Sequence, residues 1–217
     1  KDRNGAGLVL WVVPSSQIYR DTLKRLQDRN DLYRLMLEHA VSRRIELWEK
    51  TDIVRLTPAK LRECLNILMV QLASTNRETK EQLRFFKDSG GNIVQHFPPE
   101  DDPAAHRELK RQFRNLDMVV DEESRGVHLC ATSIGNLVRL CRPVVVLDEG
   151  HKATSPLALQ TIENFNASMV VELTATPREV RGNSVEYRPN IVSRVTGQEL
   201  LDEEMIKLPL NIATSGQ

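Results

Sequence analysis

The sequence predicts an α/β fold built on a parallel β-sheet with helices on both faces. Apolar runs suited to strands occur at 8–13, 44–48, 65–72, 144–148 and 169–173, and helical patterns separate several of them. Strands that alternate with helices are typical of βαβ units, in which consecutive strands are parallel. The run Val144-Val145-Val146-Leu147 is continuously apolar rather than alternating, which indicates a strand covered on both faces.

Two helices are predicted to follow the first strand. Ser15 or Ser16 can cap a helix that carries Ile18, Leu23 and Leu26. A second helix is expected from about Asp31 to Arg43. Four of its apolar residues share one face, which we expect to be a packing face: Leu32, Leu35, Met36 and Ala40.

Further along the chain, Thr57-Pro58 predicts a short helix, because proline is favoured at the first helical position. Another helix is expected from Thr75 to Arg84. Trp11 and Trp48 lie in strand-like runs and are interpreted as core residues.

The stretch from His96 to Ser124 is the least sheet-like part of the chain and is predicted to be a helical insertion between sheet strands, at about 96–124. It opens with an acidic loop at 97–103 and continues as a charged helix from Ala104 to Asn115. The cationic residues of that helix are His106, Arg107, Lys110, Arg111 and Arg114. They form either a solvated face or a contact with nucleic acid, and the sequence leaves both open.

Composition is that of an intracellular globular domain. The chain has 217 residues, 40% of them hydrophobic, and its 30 Lys and Arg balance 30 Asp and Glu. Such a chain can bury one substantial core. Without a global basic excess, any nucleic-acid contact must come from a local patch or from helix starts.

The cysteines predict a reducing compartment, and we expect a cytoplasmic location. Cys64, Cys130 and Cys141 are odd in number and lack metal-type spacing. His128 and Cys130 are metal ligands by type, but a structural role is the preferred interpretation. The sequence shows no signal peptide and no membrane span.

The most informative stretch is Asp148-Glu149-Gly150-His151, which directly follows the apolar strand. Open α/β sheets place their ligands at the carboxyl ends of such strands. Two carboxylates there are costly unless a cation neutralises them, and Mg²⁺ carrying phosphates is the usual partner of such an aspartate. Asp148 therefore suits a metal-organising role, and Glu149 suits a base that orients an attacking water.

A second signal follows downstream, where the strand 169–173 ends in Thr174-Ala175-Thr176. We predict that this strand is buried and parallel to the strand at 144–148, so that Asp148, Glu149 and Thr174 lie near the same carboxyl edge of the sheet. Together, these two stretches resemble motif II (the Walker B or DEAH-type box) and motif III of superfamily 2 helicases. The strand at 8–13 with the turn Pro14-Ser15-Ser16 resembles motif Ia. Gly150 stands where alanine is commoner in that family, a change in backbone freedom rather than in chemistry.

A narrower resemblance is to the motor subunit of type III restriction enzymes. It rests on Arg142 to Lys152, Val171 to Pro177, and Glu204 to Pro209. The resemblance implies a RecA-like domain in which Asp148 holds Mg²⁺ through water and Glu149 activates water. It also implies that His151 couples the nucleotide site to motif III, and that Thr174, Ala175 and Thr176 relay nucleotide state to the nucleic-acid groove.

The nucleic-acid contacts implied by the resemblance fall on small polar residues at strand ends. Pro14, Ser15 and Ser16 form one such turn. Ser74-Thr75 and Thr132-Ser133 compete for a second contact with the nucleic acid. Both hydroxyl pairs can donate to a phosphate, and plain helix capping is an equally good interpretation of Thr132-Ser133.

The sequence contains no Gly-x-x-x-x-Gly-Lys-Ser/Thr loop to hold ATP phosphates. In the resembled family this loop precedes motif Ia, so we expect it before Lys1. We accordingly interpret residues 1–203 as a partial first RecA-like domain and 204–217 as a linker toward a second one, which would supply an arginine finger.

The resulting expectation is an ATP-dependent translocase or helicase motor of a type III restriction-modification system. It would act on double-stranded DNA with ATP and Mg²⁺, alongside a methylase or specificity subunit, and this chain alone would be inactive. Another superfamily 2 helicase acting on DNA or RNA is the first alternative. A degenerate interaction module that does not hydrolyse ATP is the second.

Overall fold

The computed structural model describes residues 7–41, 44–71, 90–121, 126–150, 156–175 and 190–203. The chain divides into two compact units, residues 1–177 and residues 178–217. Seven strands are described: β1 (Gly7–Val13), β2 (Ile45–Trp48), β3 (Leu65–Gln71), β4 (Met118–Asp121), β5 (Val127–Cys130), β6 (Val144–Asp148) and β7 (Met169–Leu173).

Five strands form one sheet in the order β2-β3-β1-β6-β7, and all its neighbouring strands are parallel. β1 lies at the centre, where it pairs with β3 on one side and β6 on the other. All five strands predicted from apolar runs are present, and the predicted α/β parallel-sheet fold is confirmed.

Seven α-helices are described: α1 (Ser16–Gln27), α2 (Leu32–Val41), α3 (Pro58–Glu63), α4 (Pro103–Gln112), α5 (Ile134–Cys141), α6 (Pro156–Glu163) and, in the second unit, α7 (Gly197–Asp202). Two 3₁₀ segments, Ile53–Arg55 and Gly91–His96, lie between the first unit's elements. Capping side chains begin α1, α3, α4, α5 and α7, at Ser15, Thr57, Asp102, Ser133 and Thr196. The helix predicted over 75–84 lies outside the described residues.

The core of the first unit forms two clusters, and alternate residues of β1 belong to one cluster or the other. Leu10 belongs to the cluster that also contains Ile134 and Leu137 of α5. Trp11 and Val13 belong to the cluster that also contains Leu26 of α1. Because successive residues of a strand point to opposite faces, this division shows helices packed on both faces of the sheet. Trp11 and Trp48 are buried, as predicted.

The predicted packing face of α2 is wrong. Leu32, Leu35 and Met36 are 70%, 47% and 62% exposed, and Ala40 is exposed too. The helix instead docks through Arg34, whose guanidinium donates to Leu26 O at 3.1 Å and to Ile45 O at 3.2 Å.

A carbonyl at the end of α1 and another at the start of β2 thus accept from one buried side chain. The inward face of α2 therefore combines this buried cation with Leu37 and Val41, which pack against the core.

The prediction that β7 is buried is also wrong. β7 is parallel to β6, but it ends the sheet, and no described strand pairs with its other side. Met169, Val171 and Leu173 are 57%, 36% and 39% exposed. The apolar run therefore correctly predicted that these residues form a strand, but it wrongly predicted that other elements cover that strand.

Residues 91–130 contribute no described strand to the five-stranded sheet. They contain α4 and two strands that were not predicted, β4 and β5, which pair antiparallel with Met118 opposite Cys130. Among the residues that the structure describes, no helix is both long and apolar enough to cross a membrane.

Candidate functional site

The predicted catalytic carboxylates and the first residues of the Thr-Ala-Thr stretch lie at the same edge of the sheet. Asp148, the last residue of β6, is in register with Leu173, the last residue of β7. Neighbouring strands are about 4.8 Å apart, so Glu149 and Thr174 leave adjacent strands side by side. The prediction that Asp148, Glu149 and Thr174 share the carboxyl edge is confirmed.

The turn Pro14-Ser15 reaches this edge from the other side of β6. Val12 of β1 is in register with Leu147 of β6, so that the residues after Val13 emerge beside Asp148 and Glu149. Three of the predicted motifs therefore meet on consecutive strands in the order β1, β6, β7.

The backbone turns sharply directly after β6. Glu149 has φ +53°, in the left-handed region, which costs a residue other than glycine about 1 kcal/mol. Asp148 and Glu149 are both half-buried, and both have polar or electrostatic partners.

Glu172 is a third carboxylate at this edge, which sequence reasoning missed. Its side chain packs against Gly150, where an added β-carbon would lie 3.1 Å from Glu172 Cγ and 3.2 Å from its Cβ and Cδ. Gly150 does not have positive φ, so its role is to permit this approach rather than backbone freedom. The available signal was a single charged residue within the apolar run of β7.

At this edge, Asp148 could supply one carboxylate ligand to Mg²⁺. Among the described residues, no group of three His, Cys, Asp or Glu side chains could enclose a metal ion. Mg²⁺ commonly uses one or two carboxylates and takes its other ligands from water and phosphate oxygens. Asp148 can supply such a carboxylate, and the phosphates would have to be held by a loop that this sequence does not contain.

The predicted nucleic-acid turn opens onto a cationic cleft. Ser15 caps α1 by accepting from the amide of Ile18 at 3.3 Å, whereas Ser16 is exposed. Ser16 lines a cleft of about 300 Å³ together with Arg20, Lys50 and Gln71. Sequence reasoning missed these last three. Lys50 and Gln71 follow or end β2 and β3, which lie on one side of β1 only through the order of the strands.

A hydrogen bond fixes one wall of this cleft. The Tyr19 hydroxyl donates to Glu49 Oε2 at 2.9 Å. Burial, and then this bond, raise the pKa of Tyr19, so the phenol remains a neutral donor across the physiological range. The bond ties α1 to the residue that follows β2.

The pair Thr132-Ser133 divides between two roles. Ser133 is fully buried and caps α5 by accepting from the amide of Asn136 at 3.1 Å. Thr132 is half-buried and lines a cleft beside β5. Capping, the alternative that the sequence left open, accounts for Ser133.

Two residues of the charged helix α4 serve structural roles. His106 is 1% exposed, and one of its ring nitrogens is within hydrogen-bonding distance of Pro99 O at 3.1 Å. Lys110 donates to Arg114 O at 2.8 Å and Leu116 O at 2.6 Å. The interpretation of all five cations as one solvated or nucleic-acid-facing set is therefore wrong for His106.

Several predicted site residues lie outside the described residues. These are His151, Thr176, Ser74 and Thr75, together with the expected linker at 204–217. Ala175 is described and exposed, at the same edge as Thr174.

Comparison with known proteins adds no family. No protein-family model matches the chain, and no curated protein matches it significantly. A functional proposal therefore rests on the motifs and on the geometry of this edge.

Proposed function

We propose that this chain is part of an ATP-dependent motor that moves along double-stranded DNA, of the kind found in type III restriction-modification systems. The observation that carries the proposal is the meeting of three motifs on adjacent strands. Pro14-Ser15, Asp148-Glu149 and Thr174 leave β1, β6 and β7 at one edge. A motor needs its nucleotide site close to its nucleic-acid contacts, because the state of the bound nucleotide must change how tightly the protein binds the nucleic acid.

Each part of the edge has a distinct task in this proposal. Asp148 positions Mg²⁺, which would stabilise the charge that develops on the transferred phosphoryl group. Glu149 orients the attacking water and accepts its proton. Thr174 and Thr176 carry the state of the nucleotide site to the DNA, and His151 links that site to a second RecA-like domain of the complete protein.

The cleft beside α1 is the proposed DNA-facing part. Arg20 is exposed, and Arg20 and Lys50 add two positive charges to the cleft that Ser16 lines. Cationic and hydroxyl donors bind phosphates without reading base sequence, which suits movement along DNA of any sequence.

A cytoplasmic location and a methylase or specificity subunit belong to the same proposal. All three cysteines of the chain are free thiols. Burial raises the pKa of the Cys64 and Cys130 thiols, which keeps both protonated and unreactive, as suits a reducing compartment.

Paired variants of the complete protein test the proposal. Glu149→Gln keeps the shape but removes the base, so ATP should still bind while hydrolysis falls by about 10²-fold or more. Thr174→Ala/Thr176→Ala leaves the Mg²⁺ and water positions unchanged, so translocation should fall more than hydrolysis. Glu163→Gln, an exposed acid on α6, is the matched control and should alter neither activity.

ATP binding, ATPase rate and triplex displacement on DNA would be measured for each variant. Equal loss of ATPase and translocation in the threonine double variant would refute the relay role. Absence of ATP binding by the complete protein would refute the motor and favour an interaction module that does not hydrolyse ATP.

A further inference from the structure

A second, chemically different cleft lies between the loop at 97–101 and the antiparallel pair β4–β5. Neither Asp148 nor Glu149 lines it. Its volume is about 500 Å³. Its lining is mainly apolar and includes Val94, Phe97, Pro98, Val119 and Leu129. Clefts of this size and composition are typical of ligand and peptide sites.

His106 holds both walls of this cleft in place. Nδ1 of its ring accepts from the amide of Cys130 at 3.0 Å, so the ring proton is on Nε2, which donates to Pro99 O at 3.1 Å. The loop and β5 are thereby attached to the same buried side chain of α4. The cleft is therefore preformed, which reduces the entropy lost on binding.

The rim of the cleft is apolar on one part and acidic on another. Val94 and Val119 are 40% and 37% exposed. Glu100 and Asp101 are exposed carboxylates that line the cleft. None of the described residues that line it is lysine or arginine, so the cleft disfavours phosphates and attracts cations.

We propose that this cleft binds a peptide segment of a partner protein in which apolar side chains are followed by lysine or arginine. The apolar side chains would occupy the space beside Phe97 and Leu129, and the cations would lie against Glu100 and Asp101. A peptide combines both kinds of group in one ligand, apolar side chains for the cleft and cations for the two exposed carboxylates.

The test uses the full 217-residue chain and fluorescein-labelled acetyl-Leu-Val-Leu-Lys-Arg-amide, measured by fluorescence anisotropy. Two comparison peptides replace either the basic residues with glutamate or the apolar residues with serine. The first peptide should bind at least about fivefold more tightly than either comparison, since both the apolar and the charged contacts contribute. Its affinity should also fall as salt rises.

Protein variants then locate the binding. Glu100→Gln/Asp101→Asn should weaken binding of the basic peptide several-fold and reduce its salt dependence. Val94→Ser/Val119→Ser should weaken binding of the basic peptide without changing how strongly that binding depends on salt. Glu63→Gln/Glu163→Gln removes two exposed acids elsewhere and should leave binding unchanged.

Methyl NMR provides an independent readout, in which the shifts caused by the peptide should concentrate on Val119 and Leu129. Undetectable binding, equal binding of the three peptides, or equal effects of the two acid-removing variants would each overturn the proposal. Binding of benzylamine as tight as that of the peptide would also overturn it, because the ligand would then be a small organic cation.

Discussion

The Glu172 side chain packs directly over Gly150, so that a β-carbon at position 150 would lie 3.1 Å from Glu172 Cγ. Nearly all β-carbons in proteins keep a greater distance from their neighbours. The turn that carries Asp148 and Glu149 is therefore fitted against β7 as well as ending β6, and the size of the residue at position 150 affects both.

Gly150→Ala should lower the free energy of unfolding by about 1 kcal/mol, because the added methyl group forces Glu172 to move. In a Glu172→Ala background the same substitution should cost less, since the contacts with Cγ and Cδ are gone. Urea unfolding of the four proteins of this double-mutant cycle measures the coupling.

Gly197→Ala is the matched control, because nothing lies within 4 Å of the β-carbon it adds. It should leave stability unchanged or slightly raised. An equal penalty for Gly150→Ala with and without Glu172 would show that the crowding has another source.

Arg139→Met should be strongly destabilising. The Arg139 side chain is 1% exposed and donates to Asp117 Oδ2 at 2.8 Å, Asn136 Oδ1 at 2.9 Å and Asn164 O at 3.1 Å. Removing one member of a buried ion pair leaves its partner uncompensated. We expect a loss of about 2 to 3 kcal/mol, toward the lower end for such pairs because Asp117 is 31% exposed.

Arg111→Met is the control for this prediction, since Arg111 pairs with Glu108 on the surface at 2.7 Å, with side chains 76% and 48% exposed. Exposed pairs contribute little, so urea unfolding should detect almost no change. Similar losses for the two variants would contradict the structural role of the Arg139 network.

Stability should fall on mild acidification because of His96. Burial, opposed by the contact with Leu56 O and supported by the charge of Arg62, lowers the pKa of His96 below its usual 6.5. The unfolded chain therefore takes up a proton first as pH falls. The contribution of His96 is full above pH 6.5 and is lost as pH falls below that value toward the lowered pKa.

His96→Asn keeps a donor for Leu56 O but does not titrate, so its stability should decline less between pH 7.5 and pH 5. His128→Asn replaces an exposed histidine and should retain the wild-type pH dependence. Denaturant midpoints at several pH values measure both. Parallel curves for wild type and His96→Asn would contradict the prediction.

Substitutions on the outer face of α2 should be tolerated. Leu35 and Met36 are 47% and 62% exposed, so Leu35→Ala and Met36→Gln should each change stability by no more than about 0.5 kcal/mol. Leu26 of α1, which is fully buried, is the comparison, and Leu26→Ala should cost about 2 to 5 kcal/mol. Thermal denaturation would distinguish the two classes.

The sequence by itself determined the five strands of the main sheet, several helices, and much of the edge that bears the motifs. Continuous β-branched runs predicted β6 and its neighbours, and capping residues predicted the start of α1 and α3. The sequence also predicted that Asp148, Glu149 and Thr174 share the carboxyl edge. These features depend on local periodicity and on the common direction of parallel strands, which a single stretch of chain encodes.

Only the tertiary structure decided which surfaces meet. The strand order brings Lys50 and Gln71 to the turn at Ser16, and it leaves the apolar β7 at the end of the described sheet. α2 turns Arg34, Leu37 and Val41 toward the core and leaves its predicted apolar stripe facing outward. Glu172 packs against Gly150. These contacts join residues far apart in the chain, and each depends on the competition among all possible packings, which no local pattern records.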